Sequence, residues 1–145
     1  MSECDKFVDA AGVAGNVICL SSADFDSQGN LINFPDVDGV VFFYGNWCGH
    51  CVKTKPNFAE FSNAVKGLPI RAFVVDSDKN KDLLARINPQ TWGYEVRGFP
   101  TIVGYAKGKF YSEYGMDPEK KDAFRKAGDF LEYAQGLGSA KVHMQ

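Results

Sequence analysis

Val40-Val41-Phe42-Phe43-Tyr44 is a continuous run of apolar β-formers. A strand covered on both faces has that pattern, whereas a strand with one wet face alternates. Beyond it the period changes. Phe58, Phe61 and Val65 recur at helical spacing within Val52 to Val65 and predict one core-facing stripe. Pro56 falls inside that helix, lacks an N–H and predicts a kink. Gly67 predicts its stop. Ile70 to Val75 reads as another strand, ending at Asp76. Ser77 or Asp78 is placed to cap a helix through Ile87, with Leu83, Leu84 and Ile87 as its stripe. Asn88-Pro89 ends it. Thr101 to Ala106 and Phe110 to Tyr114 flank Lys107-Gly108-Lys109 and predict a hairpin. Asp117 and Pro118 suit the cap and first position of a last helix. Its stripe is Phe124, Ala127, Phe130, Leu131 and Ala134, and Gly136 and Gly138 are its expected end.

The first third of the chain is less periodic. Residues 1–15 are small and polar, a short helix at most or a loose lead-in. Asn16 to Leu20 is a short β-like run. Ser21 or Ser22 suits the cap of a brief helix through Phe25. Ser27-Gln28-Gly29-Asn30 is a turn signal, Leu31 to Phe34 a small strand or an apolar edge, and Pro35 to Gly39 a loop. Gln90 to Glu95 is a loop carrying Trp92 and Tyr94. Strands alternating with helices, followed by a hairpin, indicate one α/β domain. The expected division is a lead-in over 1–15, the domain over 16–138 and a mobile tail over 139–145.

Composition narrows the function. Hydrophobic residues make up 45% of the 145 positions and aromatic residues 14%, which suits a packed core and not disorder. A formal charge of −2 leaves no basic footprint for nucleic acid. No apolar stretch approaches the roughly 20 residues of a membrane span. Met1 to Asn16 lacks a basic region followed by an apolar core, so no signal peptide is expected. The expected location is cytoplasmic or virion-borne, unless the chain is a mature secretory-pathway domain whose leader was removed. Four cysteines are too few for a disulfide-built scaffold at this length.

Two of those cysteines carry the chemistry. Trp47-Cys48-Gly49-His50-Cys51 lies between the apolar run and the helix, a strand–CxxC–helix layout typical of redox sites. Residues three apart share a helix face, close enough for a disulfide. Cys48 would sit at or before the first turn, where unpaired N–H groups and the helix dipole favour an anion, so it is the expected nucleophilic thiolate. Cys51, one turn deeper, is the expected buried resolving thiol. His50 lies between them and can donate to, or carry positive charge near, the thiolate. Zinc is a poorer fit, because Cys4, Cys19 and His143 lack paired spacing. Cys4 and Cys19 could pair with each other or stay as free thiols.

Val41 to Tyr44, the Cys48–Cys51 motif, Pro56 five residues past the second cysteine, and Val96-Arg97-Gly98-Phe99-Pro100-Thr101 together resemble the thioredoxin superfamily. The Cys-Gly-His-Cys form is that of the catalytic domains of protein disulfide isomerase. The resemblance covers about Val17 to Gly136. It implies a thioredoxin-like α/β fold, a central mixed sheet of four or five strands flanked by helices. It also implies a cis Pro100 beside the Cys48–Cys51 pair, with the Phe99 backbone offered to an extended substrate peptide. Trp47, Gly49, Phe99 and Pro100 are then the expected substrate-binding surface. His50, where thioredoxin has proline, implies a couple nearer the isomerase's potential, about −180 mV, than thioredoxin's, about −270 mV.

Departures from the pattern are equally specific. The family's buried acid six residues before the first cysteine is Phe42 here, and the lysine of the next strand is Val74. The family's late arginine is not at the matching place, near Gly115-Met116; Arg97 and Arg125 are candidates for its role. Residues 21–39 and 88–95 differ in length or pattern, so a modified first helix and an enlarged loop near Pro100 are expected.

The implied activity is that of a thiol–disulfide oxidoreductase or disulfide isomerase acting on protein thiols and disulfides through Cys48 and Cys51. It needs no metal or organic cofactor, and its electron donor or acceptor is not identified by the sequence. Two alternatives stand beside it: a peptide-binding or adaptor module whose CxxC is incidental, and a thioredoxin-type reductant. Trp92 and Tyr94 are loop anchors or substrate contacts.

Overall fold

A computed structural model of the chain describes residues 4–45, 48–87, 99–114 and 126–144. Five strands form one sheet: β1 (Ile18–Leu20), β2 (Asp38–Tyr44), β3 (Ile70–Asp76), β4 (Thr101–Ala106) and β5 (Lys109–Glu113), in the spatial order β1-β3-β2-β4-β5. Strand β2 lies in the middle, parallel to β3 and antiparallel to β4, and β3 is parallel to β1. All seven β2 residues are buried, as its unbroken apolar run requires. Lys107 and Gly108 both have positive φ and turn β4 back into β5.

Helices α1 (Gly49–Ala64), α2 (Lys81–Arg86) and α3 (Ala127–Met144) cover the sheet. The pleat divides the core in two. Val40, Phe42, Tyr44, Ala72 and Val74 face Phe58 and Phe61 of α1 and Phe130, Ala134 and Leu137 of α3. Val41, Phe43, Phe73 and Val75 face Leu83 of α2 and Ile87, together with Phe25 and Leu31. Gly104 lets α3 lie close on β4, since a Cβ there would come within 2.8 Å of the Leu137 side chain.

Several expectations change. The last helix does not end at Gly136 and Gly138 but runs on through them to Met144. A helix-interior glycine costs about 1 kcal/mol. Here Phe130, Ala134 and Leu137 bury one side of the helix on the sheet and the turns continue. The expected cap Asp117-Pro118 and Phe124 lie outside the described residues. Pro56 lies inside α1, which continues past it to Ala64. Ser77 and Asp78 do not open α2. Asp76 Oδ1 accepts from the N–H groups of Asp78 and Lys79, closing a 3-10 turn over Ser77–Lys79, and α2 starts only after Asn80.

Among the described residues of the N-terminal lead-in, 4–15 form no helix and are tied onto the sheet. Val8 and Ala14 bridge across a turn, and Phe7 is 3% exposed with its ring edge-on to Phe42, Tyr44 and Phe58. A disulfide joins Cys4 to Cys19 of β1. The expected brief helix is a 3-10 turn over Ser22–Asp24, with Ser21 at its N-cap and Phe25 at its end, and a Phe25–Leu31 bridge follows it. Arg86 pins this excursion by donating to the carbonyls of Ser22, Phe25 and Asp26.

Candidate active site

Cys48 is the N-cap of α1, with extended backbone that lets its side chain turn back over the first turn. Its carbonyl accepts the first helical hydrogen bond, from Val52 N–H at 3.2 Å. Its Sγ accepts from Cys51 N–H at 3.1 Å, one of the donors that a helix start leaves unpaired. Its S–H donates to the carbonyl of Phe99 at 3.2 Å. The Phe99–Pro100 peptide bond is cis, and Thr101, the next residue, pairs with Phe43 of β2. Two sequence-distant segments thus meet at one sulfur because β4 lies beside β2.

Both sulfurs are free thiols and both are buried, Cys48 at 5% exposure and Cys51 at 0%. Cys48 lies against the Phe99 backbone, and the difference between the sulfurs lies in their partners. Burial pushes the Cys51 thiol up to about 12, and its hydrogen bond with Cys48 adds to this. The N–H of Gly45 and the ammonium of Lys55 act in the opposite direction.

The other expected residues distribute around this pair. Gly49 is exposed at the first turn, and a Cβ on it would meet nothing within 4 Å. His50 is exposed, its carbonyl accepts from Thr54 Oγ1, and among the described residues its imidazole makes no hydrogen bond to either sulfur. Phe99 and Pro100 are half-buried beside Cys48. Trp47, Trp92, Tyr94, Arg97 and Arg125 lie outside the described residues.

Sequence reading missed a polar group behind Cys51. Lys55, one turn further along α1, has a side chain only 18% exposed. Its Nζ pairs with Asp5 Oδ2 at 2.8 Å and lies 4.6 Å from the centre of the Tyr44 ring. Tyr44 Oη accepts from Asp5 N–H at 2.7 Å. Tyr44 stands opposite Asp76 across the β2–β3 ladder, and burial together with the Asp76 carboxylate holds its phenol well above the usual range. The four-residue step from Cys51 to Lys55 was a visible signal; Asp5 was not, because contacts distant in the chain bring it there: the Cys4–Cys19 bond, its hydrogen bond to Tyr44 and the packing of Phe7. Among the described residues, no three His, Cys, Asp or Glu side chains gather as metal ligands. No helix there is long and apolar enough to cross a membrane.

The sequence profile of the thioredoxin family matches residues 16–128. Protein disulfide-isomerase A3 of Gallus gallus is 32% identical over 119 residues, which are 82% of this chain and 21% of that protein. Protein disulfide-isomerase A6 of Homo sapiens is also 32% identical over 119 residues, 80% of this chain and 25% of the relative. The chain therefore spans only about a fifth to a quarter of these relatives. Among solved structures, the Trx4 domain of ERdj5 superposes with a TM-score of 0.57 at 23% identity, covering 84% of this chain and 95% of that domain. Profile and fold agree with the strand–CxxC–helix site and the mixed sheet: the chain belongs to the thioredoxin family.

Proposed function

We propose that this chain is a thiol–disulfide oxidoreductase of the protein disulfide isomerase type, acting on protein disulfides through Cys48 and Cys51. The observation that carries the reading is the placement of Cys48 Sγ: it accepts the helix-start N–H of Cys51 and touches the backbone of Phe99. That N–H offers the positive end of a dipole to a thiolate. In the reductive direction the Cys48 thiolate attacks one sulfur of a substrate disulfide. A Cys48–substrate bond forms, the substrate disulfide breaks, and the second substrate sulfur leaves as thiolate. Cys51 then attacks Cys48, the internal disulfide closes, and the reduced substrate departs. Run in reverse, the same steps oxidise a dithiol. A small dithiol or a second thiol protein supplies the electrons in its reduced form, and the corresponding disulfide removes them in the oxidative direction. An incoming peptide displaces the Cys48 S–H from the Phe99 carbonyl and pairs with that backbone.

The test is trapping. Cys51→Ser should accumulate a mixed disulfide between Cys48 and a scrambled protein substrate, visible by non-reducing gel and mass spectrometry. The wild-type chain should reduce insulin, and Cys48→Ser/Cys51→Ser should not. No trapped adduct together with no insulin reduction would overturn the reading. The apolar Phe42–Val74 pair favours a second one, an adaptor that holds a peptide without turning it over. Peptide binding unaffected by loss of both cysteines would select it.

A further inference from the structure

Behind the two sulfurs lies a charge that the steps above leave unused. Lys55 is four residues after Cys51 on α1, so the two side chains lie one turn apart on one face. That face looks into the cluster holding Phe7, Tyr44 and Cys51. The ammonium does not escape to water as a surface lysine does. Asp5 grips it at 2.8 Å, and the rings of Tyr44 and Phe7 lie 4.6 and 5.6 Å from it. Asp5 is itself held, by its N–H on Tyr44 Oη and by the Cys4–Cys19 bond next to it.

We propose that Lys55 is a positioning residue for the resolving step, its fixed positive charge promoting the attack of Cys51 on a Cys48 mixed disulfide. The inference rests on the oxidoreductase reading above and adds the device that ends each turnover. In that step Cys51 gives up its proton to solvent. Its electron pair makes the Cys51–Cys48 bond, the Cys48–substrate bond breaks, and the leaving sulfur takes a proton as it departs. Cys51 must therefore become an anion while fully buried, which burial opposes. An ammonium one turn away offsets that opposition, and it takes no part in bond making.

Lys55 is the cation that acts on Cys51, and the groups around this thiol are these. From α1 it meets Cys48 and Lys55, and His50 is exposed. From β2 comes Tyr44, with Asp76 of β3 opposite it. The N-terminal segment contributes Asp5. The inner face of α3 offers Phe130, Ala134 and Leu137, and Phe42 and Val74 complete an apolar wall. Asp5 has a second consequence. Its carboxylate is 40% exposed and partly cancels the charge it holds.

The test follows the Cys48–glutathione adduct, formed by mixing reduced protein with oxidised glutathione, quenched in acid and resolved by mass spectrometry across pH. Lys55→Met keeps the stem over the rings and removes the charge. Its release of glutathione should slow about tenfold at neutral pH, with the midpoint of the pH profile raised by about one unit. Lys55→Arg should stay within about twofold of wild type. Asp5→Asn keeps an oxygen acceptor for Lys55 and removes the negative charge, so release should quicken about threefold and the midpoint should fall. A purely structural ion pair would slow both variants or neither, and either result overturns the proposal. Should Lys55→Met fail to fold, Asp5→Asn decides by the sign of its change. Absence of any adduct in Cys51→Ser would instead remove the oxidoreductase reading.

Discussion

Phe42 and Val74 stand directly opposite each other across the β2–β3 ladder, both fully buried and both on the face that holds Cys51. Cross-strand partners on one face have Cβ atoms about 5 Å apart, so the two positions form one local environment. The apolar residues at 42 and 74 therefore have to be read together. An acid or a base alone at either place would be an unpaired charge in a dry core, and two apolar side chains avoid that cost.

Phe42→Glu alone should destabilise the chain by about 3–5 kcal/mol, and Val74→Lys alone by a similar amount. The double substitution should lose clearly less than the two losses combined, with a coupling above about 1 kcal/mol. Urea denaturation of the four proteins measures this. Additive losses would mean that the two side chains do not share an environment.

The sheet was largely legible because its signals are local. Buried parallel strands are written as unbroken apolar runs, and β2 and β3 kept nearly the bounds those runs set. The Lys107-Gly108 turn was equally plain. What was not legible depended on contacts distant in the chain. Phe7 is a core residue only because the Cys4–Cys19 bond and Tyr44 draw its segment onto the sheet. The end of α3 is not local either: Gly136 and Gly138 alone read as a stop, and the packing of Phe130, Ala134 and Leu137 on the sheet carries the helix past them. At the site, the cysteine spacing and Phe99-Pro100 were readable as motifs, whereas burial of Cys48 beneath the Phe99 carbonyl follows from β4 lying beside β2.

The Cys4–Cys19 disulfide closes a loop with a sequence separation of 15 residues. A loop of that size restricts the unfolded chain by about 3 kcal/mol. Cys4→Ala/Cys19→Ala should lower the melting temperature by about 10 °C. Hydrogen exchange should also rise at Asp5, whose N–H is otherwise protected by Tyr44. Calorimetry and exchange on the same protein check both, and unchanged protection at Asp5 would show that Phe7 alone anchors the segment.

Gly49 has open space where a Cβ would be, so the folded chain itself does not need glycine there. Gly49→Ala should leave stability within about 0.5 kcal/mol of wild type. A methyl group beside Cys48 should instead obstruct a bulky substrate. We expect kcat/KM for a scrambled protein to fall about fivefold, equivalent to about 1 kcal/mol, with a smaller loss for a small disulfide. Equal losses on the two substrates would place the effect on Cys48 chemistry and not on substrate contact.

Stability should decline in alkali through two named groups. An ordinary cysteine thiol titrates near 9.0, and burial pushes the folded Cys51 up to about 12. Between those values the unfolded chain has released a proton that the folded chain keeps. The contribution of Cys51 is thus fully present below about pH 9 and is lost as pH rises toward 12. Tyr44 acts with the same sign from its ordinary value of 10.0 upward, because its buried phenol also resists ionisation. Each group steepens the fall by at most about 1.4 kcal/mol per pH unit. Unfolding free energies measured by urea from pH 8 upward should therefore decline less steeply in Cys51→Ser and in Tyr44→Phe than in wild type. Tyr44→Phe should also release Asp5 N–H from its acceptor, lowering stability by about 1 kcal/mol even at neutral pH. Parallel curves for all three proteins would show that neither group keeps its proton in the folded chain.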